Sequence, residues 1–93
     1  MTPNAAFVFD PKRYPADPGC YLLKDGGGHV LYVGKAVNLR KRLSSYFRPR
    51  SRDRRTARLA ARVAEVEVIL VRTEVESLIL ENNLIKLHQP PFN

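Results

Sequence analysis

The 93-residue sequence is poor in the residue types on which several kinds of site depend. Cys20 is its only cysteine, so the chain can form no internal disulfide and no cysteine metal cage, and this scarcity fits a reducing cytoplasm. The two histidines, His29 and His88, do not have the spacing of a zinc site. No apolar run approaches the roughly 20 residues of a membrane-spanning helix, and the N-terminus lacks a secretory signal pattern. We therefore expect a small globular domain with no membrane partner.

Acidic residues are scarce relative to basic ones, 9 against 16, and the basic excess is concentrated in one segment. Residues 40–62 hold ten basic residues and one acidic residue, a net charge of +9, whereas the rest of the chain is slightly acidic. This distribution predicts a polyanionic partner. Because arginine outnumbers lysine and its guanidinium can bind two phosphate oxygens at once, nucleic acid is favoured over the alternative of a solvated helix face.

The pattern of apolar residues predicts three strands. Residues 20–24 and 29–33 are rich in Tyr, Leu and Val and are separated by a glycine turn, which is typical of a hairpin. Alternating residues over 66–70 predict the third strand. The many prolines of residues 1–16 predict an irregular N-terminal segment, which leaves 17–93 as the domain.

Three helices complete the predicted order ββααβα. The first starts near Asn38 and ends before Pro49, and the second covers 55–64 after a basic loop over 48–55. A Thr-x-x-Glu capping box at Thr73 opens the last helix, which runs to about Leu87 and is apolar on nearly all sides, a pattern that predicts burial. The fold class that follows is α+β, with a small antiparallel three-stranded sheet flanked by helices.

The glycine turn sets the relation between two tyrosines. A turn centred on Gly26-Gly27 places Tyr21 directly opposite Tyr32 on one face of the sheet. The other face then carries Cys20, Leu22, Leu31 and Val33. The tyrosines could simply fill the core, or their two hydroxyls could form a small polar site, and geometry alone leaves both interpretations open.

Three further residues could serve such a site. Arg42 lies at the edge of the inward stripe of its helix, whereas Lys41 points to solvent. Glu81 lies on a narrow polar strip of the last helix, where it either faces solvent or needs a cation, and the pattern leaves these open. Lys35 follows Gly34 at the end of the second strand, where the backbone allows close approach of a ligand such as phosphate.

These residues together resemble a known family. Gly19-Cys20-Tyr21 and Tyr32-Val33-Gly34 are similar to the paired signatures of the GIY-YIG nucleases, and the likeness runs from Asp17 to Asn93. Arg42, Glu81 and Asn93 stand at the positions of the helix arginine, the metal-binding glutamate and the late asparagine of that family. The resemblance implies the GIY-YIG fold and metal-dependent hydrolysis of DNA phosphodiesters.

The resemblance also implies a role for each residue. Tyr32 becomes the candidate general base, Tyr21 orients water or phosphate, and Arg42 stabilises charge on the phosphate. Glu81 would hold one Mg²⁺ or Mn²⁺ ion. The expected supporting residues are Gly34, Lys35, Tyr46 and Asn93. The expected DNA-binding residues are Lys35, Arg40, Lys41, Arg48, Arg50, Arg52, Arg54 and Arg55.

The function implied is the 3′ incision at damaged double-stranded DNA in bacterial nucleotide excision repair. The domain would act as a monomer, and protein partners would bind parts of the full protein outside this chain. Two alternatives stay open: another repair nuclease of the same family, and a non-catalytic basic module that binds DNA. The second alternative predicts that Glu81 and divalent metal are dispensable.

Overall fold

The computed structural model describes residues 7–48 and 53–93. Its strands are β1 (Gly19–Lys24), β2 (Val30–Ala36) and β3 (Glu65–Leu70). Its helices are α1 (Leu39–Tyr46), α2 (Arg54–Arg62) and α3 (Glu74–His88). The three strands form one antiparallel sheet in the order β2-β1-β3. The predicted fold class and the predicted order ββααβα are confirmed.

The register of the hairpin differs from the prediction by two residues. Tyr21 lies opposite Gly34 rather than opposite Tyr32, and Tyr32 lies opposite Leu23. The reason is the turn, because Asp25 accepts hydrogen bonds from the backbone N–H groups of Gly27 and His29 and closes a loop longer than the predicted one. Because a two-residue shift preserves the face of each side chain, the two tyrosines still share one face.

An irregularity in the ladder between Leu23 and Lys24 changes the face of one predicted residue. Leu31 packs with Tyr21 and Leu23, and not with Leu22 and Val33 as predicted. A bulge of this kind inserts an extra residue in one strand and reverses the alternation beyond it. The tyrosine face therefore gains one more large apolar residue than the sequence pattern indicated.

The larger core lies on the tyrosine face of the sheet. Leu39, Leu43 and Tyr46 of α1 and Leu59 of α2 pack there against the buried residues of β1. Asn38 caps α1 by accepting a hydrogen bond from the N–H of Lys41, as the sequence predicted. The helix thereby presents its predicted apolar stripe to the sheet and holds Tyr46 beside the hairpin.

The N-terminal segment packs against the same side. Phe9 stacks on Tyr14 and Phe47 with ring centroids 5.3 and 5.0 Å apart. The carbonyl groups of Pro15 and Asp17 accept hydrogen bonds from the first backbone N–H groups of α1. Residues 7–16 therefore pack against the core, and the proposed division at residue 16 stays a prediction.

The prediction that α3 is buried on all sides is wrong. One face of the helix packs on the face of the sheet opposite the tyrosines. There Leu84 and Ile85 contact Leu22, Val30 and Val33. The solvent-exposed side chains of α3 include Val75, Leu78, Ile79 and Leu87, which are 67%, 51%, 56% and 74% exposed. No further described element covers this helix, so its other face stays in solvent. No described helix is long and apolar enough to cross a membrane.

Candidate active site

Three tyrosines, one each from β1, β2 and α1, form a compact cluster on the core face of the sheet. Tyr21 and Tyr32 come from the hairpin and Tyr46 comes from the last turn of α1. Their ring centroids lie 5.8 to 6.1 Å apart in each pair. The hydroxyls of Tyr21 and Tyr46 are 3.1 Å apart and hydrogen-bonded. Tyr21 is fully buried and Tyr32 is half-buried, so the cluster joins the core to the surface.

Arg42 is the cation that reaches this cluster. Its Nε donates a hydrogen bond of 3.3 Å to the Tyr21 hydroxyl, and its guanidinium lies 5.3 Å from the centroid of the Tyr46 ring. Lys41, the preceding residue on α1, is exposed, as the helical pattern predicted. The structure thus places Arg42, and not Lys41, against the tyrosines.

The tyrosine hydroxyls are held in their protonated form at neutral pH. Burial, with a hydrogen bond to Tyr46, raises the pKa of Tyr32 to about 12. Burial, with the Tyr21 hydrogen bond, likewise raises the pKa of Tyr46 to about 12. Arg42 lowers the pKa of Tyr32, but the effect of burial is larger. The protein alone therefore does not create the tyrosinate that a general base requires.

Gly34 is required for the position of Tyr21. A Cβ atom at Gly34 would overlap the Cζ and hydroxyl oxygen of the buried Tyr21 ring. The ring lies directly on the Gly34 backbone, because these two residues are opposite each other in the hairpin. The structural reason for glycine after Tyr32-Val33 is this close approach.

We expect Gly34→Ala to destabilise the protein by about 1–3 kcal/mol or more, as overpacking of a filled core does, and to displace the Tyr21 ring. Urea denaturation of the variant and the wild type would measure the loss. Gly28→Ala is the matched control, since Gly28 has φ +84° but open space around its Cβ position. A Gly34→Ala variant as stable as the wild type would contradict the requirement for glycine beside the Tyr21 ring.

The C-terminal residues bind the outer edge of β2. The Asn93 side chain accepts a hydrogen bond from the Val33 N–H and donates one to the Val33 carbonyl, both of 2.8 Å. The backbone N–H of Phe92 donates to the Leu31 carbonyl at 3.0 Å. These bonds hold the residues on either side of Tyr32. Asn93 thus contacts the backbone of the strand rather than the tyrosine hydroxyls.

Glu81 lies on α3, which packs against β2. Its side chain is partly buried, and it forms no ion pair within residues 7–48 and 53–93. Its charge contributes to the raised pKa values of Tyr32 and Cys20, which lie on opposite faces of the sheet. The field of this carboxylate therefore reaches the tyrosine cluster from the helix on the far side of the sheet.

The residues around Glu81 suit a hard cation that keeps most of its water ligands, and not a cation coordinated mainly by protein side chains. Within the part of the chain that the structure describes, no three His, Cys, Asp or Glu side chains converge to form a metal cluster. A single carboxylate suits Mg²⁺, which keeps most of its water ligands. Glu81 satisfies this requirement, since it is a partly buried carboxylate with no ion pair among the described residues.

Two clefts flank the cluster. One, of about 490 Å³, includes Lys35, Lys41 and Arg42 among its lining residues and is strongly cationic. The other, of about 380 Å³, is lined by Tyr32, Tyr46, Arg55, Thr56, Leu59, Phe92 and Asn93. Lys35 lies opposite Cys20, whose thiol donates to the Ser77 carbonyl of α3, and Lys35 lines the first cleft together with Arg42. A phosphate bound beside Arg42 would lie close to positive charges from both β2 and α1.

The basic residues predicted to bind DNA fall into three groups. Lys35, Lys41, Arg48 and Arg54 are exposed. Arg40 and Arg55 are used within the fold: the Nε of Arg40 donates to the carbonyls of Pro11 and Tyr14, and Arg55 donates to the Phe92 carbonyl. Arg50 and Arg52 lie outside the described residues.

Sequence reasoning missed the contribution of Phe92 and Thr56 to the second cleft. Phe92 is separated by 46 residues or more from the other aromatic residues of the cleft, Tyr32 and Tyr46, and no periodic pattern connects them. Thr56 is a helical residue within the basic segment, where charge dominated the interpretation. No signal in the single sequence identified either residue.

A hairpin that presents two tyrosines of an antiparallel sheet to an arginine and a tyrosine of the next helix defines a GIY-YIG domain. The comparison with family models makes this more specific. The model described as the UvrC-like GIY-YIG domain matches residues 17–93, and the chain belongs to that family.

Relatives and a solved structure agree with this assignment. The chain is 49% identical over 90 residues to UvrABC system protein C of Klebsiella pneumoniae, covering 92% of this chain and 15% of that protein. It is 53% identical over 84 residues to the protein of the same name from Methanospirillum hungatei, covering 90% of this chain and 16% of that protein. The chain thus spans about one-sixth of the length of these relatives.

The solved structure is the GIY-YIG N-terminal endonuclease domain of UvrC from Thermotoga maritima, bound to magnesium as its catalytic divalent cation. It matches with a TM-score of 0.76 and 40% sequence identity, and the match covers 85% of each chain. Variants of that domain with a tyrosine changed to phenylalanine, or an asparagine changed to alanine, also hold the cation. In that protein, metal binding survives each of these substitutions.

Proposed function

We propose that this chain is the endonuclease domain that makes the 3′ incision at damaged DNA in a UvrABC-type repair system. The observation that carries the proposal is the convergence of Arg42 and three tyrosine hydroxyls within reach of the Glu81 charge. Phosphodiester hydrolysis needs a positioned water, positive charge for the phosphate and a stabilised leaving oxygen. The membership of the UvrC-like GIY-YIG family supports this reaction over binding alone.

Glu81 would hold the divalent cation, Mg²⁺ or Mn²⁺, as the only carboxylate ligand from the protein. The Thermotoga maritima domain, with 40% identity, binds magnesium. A cation bound there would supply the positive charge that stabilises the leaving oxygen and favours ionisation of nearby hydroxyl groups and waters.

Arg42 has the role of stabilising negative charge on the phosphate. Its Nε is engaged by Tyr21, so the guanidinium is oriented while its remaining N–H donors are available to phosphate oxygens. A guanidinium positioned before the reaction does not have to reorganise as charge develops. Tyr46 supports this orientation through its ring face.

Tyr32 is the proposed general base and Tyr21 the residue that orients water or phosphate. Tyr32 is the more suitable of the two because it is half-buried, whereas Tyr21 is fully buried and hydrogen-bonded on two sides. With its pKa at about 12, Tyr32 can accept a proton only when more positive charge lies beside it than Arg42 provides. A cation held by Glu81 would therefore act together with Arg42 to favour ionisation of this hydroxyl.

The full protein would act with UvrB, after loading by UvrA, through regions outside this chain, and its second nuclease domain would make the 5′ incision. Damaged double-stranded DNA is the substrate of the complex. The isolated domain is proposed to be a monomer. The proposal can be tested by measuring incision of a lesion-bearing duplex by the full complex, with and without Mg²⁺. A 3′ incision that does not depend on the metal would contradict the proposal.

DNA binding by this chain should be weak and strongly salt-dependent, because residues 40–62 carry a net charge of +9. With about four phosphates neutralised, log K should fall with log salt at a slope of about −3 to −4. Fluorescence anisotropy with a labelled duplex over a range of salt concentrations would measure this slope. A slope near zero would show that these arginines do not contact phosphate.

A further inference from the structure

A contact between α2 and the C-terminal residues has no place in the reaction as described so far. The Nη2 of Arg55 donates a hydrogen bond to the carbonyl of Phe92. The guanidinium carbons of Arg55 and Arg62 lie 6.0 and 5.8 Å from the centroid of the Phe92 ring. These distances are within the range of cation–π attraction.

The two arginines suit this contact because of their spacing. Arg55 and Arg62 are seven residues apart, which places them on one face of α2 about two turns from each other. Leu59, between them, is the buried residue by which α2 joins the core. Arg55 and Arg62, near the two ends of α2, thus contact Phe92, and Leu59 between them packs in the core.

The Phe92 contact continues to the site. Phe92 and Asn93 bind the backbone of Leu31 and Val33, and Tyr32 lies between these two residues. β2 is an edge strand of the sheet, so its outer hydrogen-bonding groups have no neighbouring strand. Phe92 and Asn93 take the place of that strand, and Tyr32, Arg55, Phe92 and Asn93 also line one cleft.

We propose that Arg55 and Arg62 are positioning residues for the incision reaction. They hold Phe92, which keeps Asn93 on the outer edge of β2 and so fixes Tyr32 in the tyrosine cluster. This role replaces the phosphate contact predicted for Arg55. The expected effect on incision depends on the proposed function of the domain. Removal of both guanidinium groups leaves the hydrogen bonds of Asn93 to β2 without support from α2.

The first test does not depend on activity. In Arg55→Gln/Arg62→Gln, hydrogen exchange of the Val33 amide, which donates to Asn93, should accelerate by about tenfold or more, while amides of the central strand β1 keep their rates. Phe92→Leu should give the same acceleration with no loss of charge, and Phe92→Trp, which retains an aromatic face, should restore protection. Unchanged Val33 exchange in the double arginine variant would overturn the proposal.

The second test separates positioning from DNA binding in the full protein within its repair complex. At saturating DNA, Arg55→Gln/Arg62→Gln should reduce the 3′ incision rate about 10- to 100-fold, as small displacements of reacting groups do, and leave the salt slope of binding unchanged. Arg58→Gln, at an exposed position of the same helix with no cation–π contact to Phe92 among the described residues, is the control and should leave the saturated rate unchanged. A lower slope with an unchanged rate for the double variant would make the arginines phosphate ligands and overturn the proposal.

The two tests distinguish the failure of this proposal from that of the proposed function. A wild-type protein that makes no 3′ incision would contradict the function, and Val33 exchange would still decide whether the arginines hold the β2 edge. An active wild type with an unaffected double variant would contradict the positioning role alone.

Discussion

Glu81→Gln is expected to fold normally and to lose both divalent metal and the 3′ incision. The substitution keeps the shape of the side chain and removes the Glu81 charge, which acts on Tyr32. Among the described residues no three His, Cys, Asp or Glu side chains converge, so no alternative metal cluster is available. We expect the 3′ incision rate to fall by at least about 10³-fold, since both the cation and the conditions for ionising Tyr32 are lost.

The measurement is incision of a lesion-bearing duplex by the full complex, with the 3′ and 5′ products counted separately. The 5′ incision should be less affected, because it is assigned to another domain. Glu74→Gln is the matched control: it makes the same change in the same helix, at an exposed position of the first turn. An active Glu81→Gln enzyme would contradict the assignment of the metal and most of the proposed mechanism.

Arg42→Ala is expected to reduce the 3′ incision rate by about 10²–10³-fold while the fold and DNA affinity change little. Its guanidinium is the one brought against the tyrosine cluster from α1, and the loss of one such contact with the developing charge costs about this much. The Tyr21 hydroxyl keeps its bond to Tyr46 in the variant, so the core is not left with an unpaired buried group. Single-turnover incision at saturating DNA would measure the effect.

Lys41→Ala is the control for Arg42→Ala, since the two residues are adjacent in α1 and their side chains point in different directions. Lys41 is exposed, and its loss should weaken DNA binding slightly without changing the saturated rate. Equal losses of rate for the two variants would show that the wrong face of the helix has been assigned to the site.

The sequence was sufficient to predict that Tyr21 and Tyr32 share a face, but not how they are paired. Period-two alternation determines the face, and the actual register differs from the predicted one by an even number of residues. The register itself depends on Asp25, whose carboxylate caps the turn, and consecutive glycines allow several turns of different length. The prediction of a direct pair was wrong because it assumed the shortest symmetric loop.

Helical periodicity predicted the direction of Arg42 correctly, because α1 has one clear apolar stripe. It failed for α3, where apolar residues surround the helix and the pattern predicted burial. Burial needs a neighbouring element, and the described chain supplies one only on the side of the sheet. Periodicity describes a helix surface and contains no information on what covers it.

The role of Arg55 and Arg62 could not be predicted because the contact is distant in sequence and uncommon in type. In a 23-residue segment that holds ten basic residues, a phosphate contact was the expected role for Arg55. Only the fold brings Phe92 to α2, 37 residues after Arg55. Asn93 was expected to fix the site by hydrogen bonds, and its contacts are with the Val33 backbone.

The most direct test of the account is the location of a bound metal ion. Crystals of this chain soaked in Mn²⁺ should show one anomalous peak at the Glu81 carboxylate, on the side of Tyr32 and Arg42, with waters as its remaining ligands. The same soak of Glu81→Gln crystals should show no peak there. A peak on any other acidic residue, or one at this position that survives in Glu81→Gln, would contradict a single site built from Glu81, Arg42 and the tyrosine cluster.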